Sequence, residues 1–341
     1  MVGQVPLPAG AAPLELLRET GTAGDDRLLT IVIGSYNHCR YLPEAFAAIE
    51  ASQACDRLAV IFIDDGSPDG TMDFVASYPF DPALHVRIYA KRNAGLRDSL
   101  ASGLALTDTR FVAFIASDDY YEPQGLAAVV ARLEVQGNDD ICWICQATYL
   151  EGRDGEPVYG DAHSRLIAAN PGDRLRQLSI SYPKPLLLQS TVFATDMLRD
   201  AHPWTANVRL DDWPTFIQVA ALALRQNVSM IFVPDISLCR YRLHPGGAHN
   251  DADRQLSLCL EVADRVIEPR YRADAIARIY ADIGLVHLFE RRLLKAAAHI
   301  TRAIVAKPSW EVATLVPRRV ARSAWSRTSR LTNRFRTVKT R

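Results

Sequence analysis

Between Leu29 and Ala116, four short apolar runs alternate with stretches of helical pattern, and this rhythm constrains the fold more than any other feature of the chain. The runs are Leu29–Ile33, Leu58–Ile63, His85–Ala90 and Phe111–Ala116; the stretches between them cover Tyr41 to about Gln53, Thr71–Ser77 and Leu96–Leu106. Runs of this kind read as parallel strands buried on both faces, joined by crossover helices. The predicted fold class is therefore α/β, a mostly parallel, Rossmann-like sheet with helices on both faces. Sheets of that type bind ligands beyond the carboxyl ends of their strands. Polar motifs stand at those ends: Gly34-Ser-Tyr-Asn-His38, Asp64-Asp-Gly-Ser67 and Ser117-Asp-Asp-Tyr120.

The first strand does not lead into the Gly-x-Gly-x-x-Gly turn that brings a helix N-terminus against a dinucleotide pyrophosphate, which disfavours a dehydrogenase. The stretch from Gly34 to Arg40 holds one glycine, too few for the triphosphate loop of a sugar nucleotidyltransferase. After the second strand, a carboxylate can accept hydrogen bonds from a base or ribose, and Gly66 permits a tight turn. The same residues also suit a plain turn, with Ser67 or Asp69 capping the helix at Thr71. Asp118 and Asp119 are adjacent acids that repel each other unless a cation neutralises them.

The set Thr30-Ile-Val-Ile-Gly-Ser-Tyr-Asn37, Asp64-Asp-Gly-Ser67, Asn93-Ala-Gly95 and Ser117-Asp-Asp119 resembles the inverting GT-A glycosyltransferases of family 2 in order and spacing. Downstream, Leu210-Asp-Asp-Trp213 and Tyr241-Arg-Leu-His244 match that family's Glu-Asp-Trp/Tyr and Tyr-Arg-x-His elements, so the resemblance runs from about Leu29 to Asn250. It implies transfer of a sugar from a nucleoside diphosphate sugar, UDP foremost, to a hydroxyl of a glycan or glycolipid. It further implies that Gly34, Tyr36, Asp65, Asn93 and Asp118 hold the donor. Asp119 and His244 would bind Mn2+ or Mg2+, and Asp212 would be the catalytic base. The sequence departs from the family pattern in three places: Ala116 replaces the first acid of Asp-x-Asp-Asp, Asp211 replaces the usual Glu, and Ser102 replaces a helix Asn. The second departure leaves the base open between Asp211 and Asp212, with Asp212 preferred. A glycan-binding protein on the same fold is the non-enzymatic alternative.

Three regions are expected: a loose Pro-, Gly- and Ala-rich leader over 1–27, a catalytic domain over 28–251, and a helical C-terminal region over 252–341 broken near Pro269, Pro308 and Pro317. The part of the chain beyond Pro123 is assigned to the acceptor, and the choice of sugar, donor base and acceptor linkage to pocket shape and the variable stretch from Glu151 to Pro185. Of 39 Lys and Arg residues, eleven fall within 302–341 beside a single acid, Glu311, so the basic charge concentrates at the C-terminus. There Val320, Ala324, Trp325, Leu331, Phe335 and Val338 form one apolar helical stripe, which suits an anionic membrane surface or, equally, a solvated tail. No nucleic-acid motif accompanies the charge. Cys142 and Cys145 lie in an apolar run and read as buried thiols of a reducing compartment. Neither a signal peptide nor a membrane span is indicated. The expected location is cytoplasmic, with peripheral contact at the inner membrane face.

Overall fold

The computed structural model describes residues 7–308 except 9, 22–23, 25, 138, 152–153, 181–185 and 244–250. The chain divides into two compact units, residues 1–178 with 185–247 and residues 179–184 with 248–341.

The first unit is built on a sheet of nine strands: β1 (Glu15–Thr20), β2 (Leu29–Ser35), β3 (Leu58–Asp64), β4 (His85–Ala90), β5 (Phe111–Ala116), β6 (Tyr120–Tyr121), β7 (Asp140–Leu150), β8 (Thr191–Ala194) and β9 (Ser229–Arg242). Their spatial order is β1-β4-β3-β2-β5-β8-β7-β9-β6. β4, β3, β2 and β5 run parallel, and every residue of β2 and β3 is buried, as continuous apolar runs require. Helices α1 (Leu42–Glu50), α2 (Thr71–Ser77), α3 (Leu96–Leu106) and α4 (Pro123–Glu134) are the connections after these strands. Further along come α5 (Asp161–Ala168), α6 (Pro171–Ile180), α7 (Thr195–Asp200) and α8 (Asp212–Gln226). Chain order reverses at β2, which lies between β3 and β5, so the crevice for a ligand opens at the carboxyl ends of these strands.

Two expectations change. The leader is not loose throughout: β1 lies within it and pairs antiparallel with β4, covering an edge that an α/β sheet would otherwise expose. The second half of the sheet is also mixed, with β8 antiparallel to both β5 and β7, whereas β7 and β9 are parallel to each other. Cys142, Cys145 and Cys239 are buried free thiols in this half, and burial pushes all three up in pKa.

Close helix-to-sheet packing depends on small residues. A Cβ on Gly103 of α3 would come 2.3 Å from Val32 Cγ1, and one on Gly125 of α4 would come 2.1 Å from the Ser237 carbonyl oxygen of β9. The second obstacle is backbone and cannot rotate away. Gly125→Ala is expected to destabilise the protein by about 1–3 kcal/mol through overpacking, read as a lower urea midpoint at unchanged slope.

The second unit contains α9 (Ala252–Arg265), α10 (Pro269–Phe289) and α11 (Leu293–Ala306). Asp251 caps α9 by accepting a 3.0 Å hydrogen bond from the Arg254 amide on Oδ1, and Pro269 occupies the first turn of α10, where its missing N–H costs nothing. The break between α10 and α11, at Arg291 with φ 62°, was not signalled by proline. Among the described residues no helix is long and apolar enough to cross a membrane. The apolar stripe proposed for the basic tail lies outside the described residues.

Candidate active site

The polar motifs stand at the ends of β2, β3 and β5. After β2 the chain turns at Asn37, with φ 60°, whose amide donates to Ser67 Oγ at 2.9 Å; the Cys39 amide donates to Asp69 Oδ2 at 2.8 Å. Asp69 Oδ1 also accepts from the amide and hydroxyl of Thr71 at the start of α2. The Asp-Gly-Ser turn is thus a brace between two loops as well as a helix start. Tyr36, about half exposed at 48%, is left with a free ring face at the end of β2. Gly34 serves packing: a Cβ there would come 2.8 Å from Leu96 Cδ1 of α3.

Asp65 is buried and accepts from three donors. Its Oδ1 accepts from Lys91 Nζ and, at 2.8 Å, from the Ala94 amide; its Oδ2 accepts from the Gly95 amide at 2.8 Å. Lys91 Nζ also lies 3.2 Å from Asp98 Oδ1. Gly95, at φ 91°, adopts a backbone that side-chain-bearing residues avoid. The Asp65 carboxylate, expected to contact the nucleotide, also anchors the loop 93–95, on which Asn93 stands exposed.

Asp118 and Asp119 follow β5. Asp119 is buried; its Oδ1 accepts from the Arg242 amide at 2.7 Å. Burial first, and then the charge of Asp118, hold the Asp119 carboxyl well above the usual carboxylate range, partly offset by Arg242 and by a hydrogen bond from Gln189. Asp118 is the more accessible partner, and His38 Nδ1 lies 3.9 Å from its Oδ1 and 3.0 Å from Ser117 Oγ. Arg242 closes this end of the site: its Nε donates to the Asp118 carbonyl at 2.9 Å, and its guanidinium pairs with Glu44 at 2.6 Å and with Glu151 while stacking on Tyr41. His244, expected as a metal ligand, lies outside the described residues.

Asp211 precedes α8 and Asp212 begins it, both half-buried. The Asp211 carbonyl accepts from Trp204 Nε1 and Thr215 Oγ1, and Asp212 Oδ1 accepts from the Trp213 amide at 2.7 Å. The Trp213 indole is itself fixed by donating to the Leu178 carbonyl at 2.7 Å. Burial, followed by the charge of Asp211, pushes Asp212 up to about 7. Asp211 is also raised by burial, although nearby Arg97 opposes the rise. Asp211 borders a cleft of about 1270 Å3 whose walls include Gly95, Arg97 and Trp204.

Tyr241 of β9 ties the two acidic pairs together. Its phenol is raised by burial and then by the charges of Asp119, Asp212 and Asp118, so both acidic motifs lie within electrostatic reach of one side chain. Asp119 and Asp212, 93 apart in sequence, thus act electrostatically on the same phenol.

Residues 30–188 match the profile of glycosyl transferase family 2. This domain belongs to that family. The family 2 domain is similar over 132 residues, at 27% identity, to the putative teichuronic acid biosynthesis glycosyltransferase TuaG of Bacillus subtilis, covering 38% of this chain and 50% of that protein. The first curated relatives are matched over only 31% to 50% of their own length. Two solved structures share the fold: S. aureus TarS 1–349 in complex with UDP-GlcNAc, at TM-score 0.54 and 14% identity over 82% of this chain and 81% of that one; and the mannosyltransferase PcManGT of Pyrobaculum calidifontis in complex with GDP-Man and Mn2+, at TM-score 0.56 and 18% identity over 89% and 83%. The first unit is accordingly a GT-A fold.

Several residues at the site were not assigned from sequence. Lys91, Gln189 and Glu44 belong to no motif string, and long-range pairing alone brings them in. Tyr241 and Arg242 do stand in a matched string, and a cation one residue from an aromatic at a strand end was the available signal.

Proposed function

We propose that this chain transfers one sugar from a nucleoside diphosphate sugar to a hydroxyl of a glycan or lipid-linked glycan, with inversion, in cell-surface polysaccharide synthesis. The observation that carries this reading is that Asp118, Asp119 and Asp212 all act electrostatically on one buried phenol, that of Tyr241. Inverting transfer needs charge stabilisation on the diphosphate side of the sugar and a proton acceptor on the opposite face, and two separate acidic pairs provide both.

On the donor side, Tyr36 and Asn93 are exposed to receive the nucleoside, and Asp65 acts by fixing the loop that carries Asn93. Asp118 and Asp119 fit a hard divalent cation: both offer carboxylate oxygen, and their adjacency and burial favour a dication over two unpaired charges. Mn2+ or Mg2+ held there would supply Lewis-acid stabilisation of the leaving diphosphate. Glu44 and Glu151 neutralise Arg242 and hold it against the Asp118 carbonyl, which keeps the acidic pair in place.

On the acceptor side, Asp212 takes the proton of the attacking hydroxyl. A carboxylate raised to about 7 is a stronger base than an ordinary one and is still largely ionised in mildly alkaline solution. The Trp213 amide orients it through Oδ1.

Titration of UDP, GDP, CDP and dTDP into wild type and Asp119→Asn, each with and without Mn2+, tests the donor half. One nucleotide should bind tightly only with Mn2+, and Asp119→Asn should abolish that dependence. Failure of every nucleotide to bind well-folded protein would turn the reading toward glycan binding without turnover.

A further inference from the structure

The helical unit contains a polar cluster that the transferase site does not use. His287 of α10 is fully buried and His299 of α11 is 6% exposed, with their rings stacked at 5.3 Å between centroids and 15° between planes. Asp253 of α9 completes the group, and one potential ligand atom from each of the three residues lies within 4.8 Å of the others. Neither nitrogen of His287 makes a hydrogen bond of normal geometry, and His299 Nδ1 is likewise buried without one. Unpaired imidazole nitrogens in a helix interior are costly, since each forgoes its hydrogen bonds to water.

The surrounding groups suit ligation. His287 Nε2 lies 3.4 Å from Asp253 Oδ1, too long and misdirected for a good hydrogen bond but close to the edge of a tetrahedron whose centre is about 2.0–2.1 Å from each ligand. The other nitrogen, Nδ1, lies 3.6 Å from Glu290 Oε2, beyond hydrogen-bond length but near enough for that carboxylate to become the outer partner of a ligating imidazole. Lys295 Nζ pairs with Asp253 Oδ2 at 2.6 Å, which leaves Oδ1 turned toward His287. Each of the three helices contributes one ligand.

We propose that Asp253, His287 and His299 bind one divalent transition ion of zinc type, clasping α9, α10 and α11 and leaving a fourth position to water. Two imidazoles and one carboxylate suit Zn2+ better than the all-oxygen preference of Mg2+. The site is distinct in residues and in metal preference from the carboxylate pair at Asp118 and Asp119.

The test uses the full chain freed of any affinity-tag histidines and carrying Asp119→Asn, so that the proposed donor-site cation is not counted. Calorimetric titration with Zn2+ should show one equivalent with Kd below about 1 µM, a rise in Tm on binding, and little response to Mg2+. Co2+ in place of Zn2+ should give the intense visible absorption of a four-coordinate ion. Asp253→Asn, an exposed position that should not disturb folding, and His299→Gln should each weaken Zn2+ binding by at least about tenfold. Absence of stoichiometric Zn2+ in the folded parent, or undiminished affinity in Asp253→Asn, would overturn the proposal; should His299→Gln not fold, Asp253→Asn and the Co2+ spectrum still decide it.

Discussion

Asp212→Asn is expected to lower kcat/KM by about 10²–10⁴-fold, the usual contribution of a positioned general base, while the affinity for donor nucleotide is retained. Asp211→Asn should cost less, because the bonds from Trp204 and Thr215 to its backbone carbonyl survive the change. Comparing the two variants in turnover and in nucleotide binding decides which aspartate is the base. A second readout follows from linkage. The folded pKa of Asp212, about 7, lies above the ordinary value of 3.8, so the folded protein holds a proton that the unfolded chain has released. That contribution to stability is complete below about pH 4 and is lost as pH rises through 7. Asp212→Asn does not ionise. Its melting temperature relative to wild type should therefore climb between pH 4 and pH 7 and level off above. A variant that is both inactive and more stable at pH 8 is the signature of a strained base; equal melting curves at pH 8 would contradict the raised pKa. Wild-type kcat/KM should rise with pH toward a plateau above 7, as the base becomes ionised.

How much of this site could be read from sequence depended on the range of the interaction. The parallel strands were legible because burial on both faces demands unbroken apolar runs, and β2 through β5 contain such runs. β1 was missed because Glu15 to Thr20 is polar and half-exposed, its strand character coming from the partner β4 and not from its own pattern. β9 was missed for a related reason: it is long, bulged against β7 and interrupted by Pro234, so no simple period marks it. At the site, adjacent acids at strand ends declared themselves by their mutual repulsion. What no local string revealed was the use made of each carboxylate. Asp65 and Asp119 are equally buried, yet a buried lysine neutralises one, while the other is left to a backbone amide, a glutamine and its charged neighbour. That difference is set by Lys91, 26 residues after Asp65, and only the register of β3 against β4 brings the two together.

Lys91→Met is expected to produce the largest loss of stability among single changes near the donor site, about 3–5 kcal/mol, because it leaves Asp65 buried without its cation. The Lys91 side chain is 0% exposed and that of Asp65 only 4%, so water cannot replace the lost partner. Two amides, from Ala94 and Gly95, would still face the carboxylate, but neither carries a full charge. For a domain of this size the loss corresponds to a fall of roughly 10 °C in Tm. The methionine stem fills the space of the lysine stem, which separates the effect of charge from that of a cavity. Asp65→Asn added to Lys91→Met should recover part of the loss, since a neutral amide can stay buried there, and the cycle yields the coupling between the two groups. The consequence for function is equally direct. With Asp65 uncompensated, the loop 93–95 loses its anchor and Asn93 its fixed position, so nucleotide affinity should fall even at temperatures where Lys91→Met remains folded. Retention of both stability and nucleotide affinity would mean that the Lys91–Asp65 pair neither supports the fold nor shapes the loop, and the role given to Asp65 would have to be withdrawn.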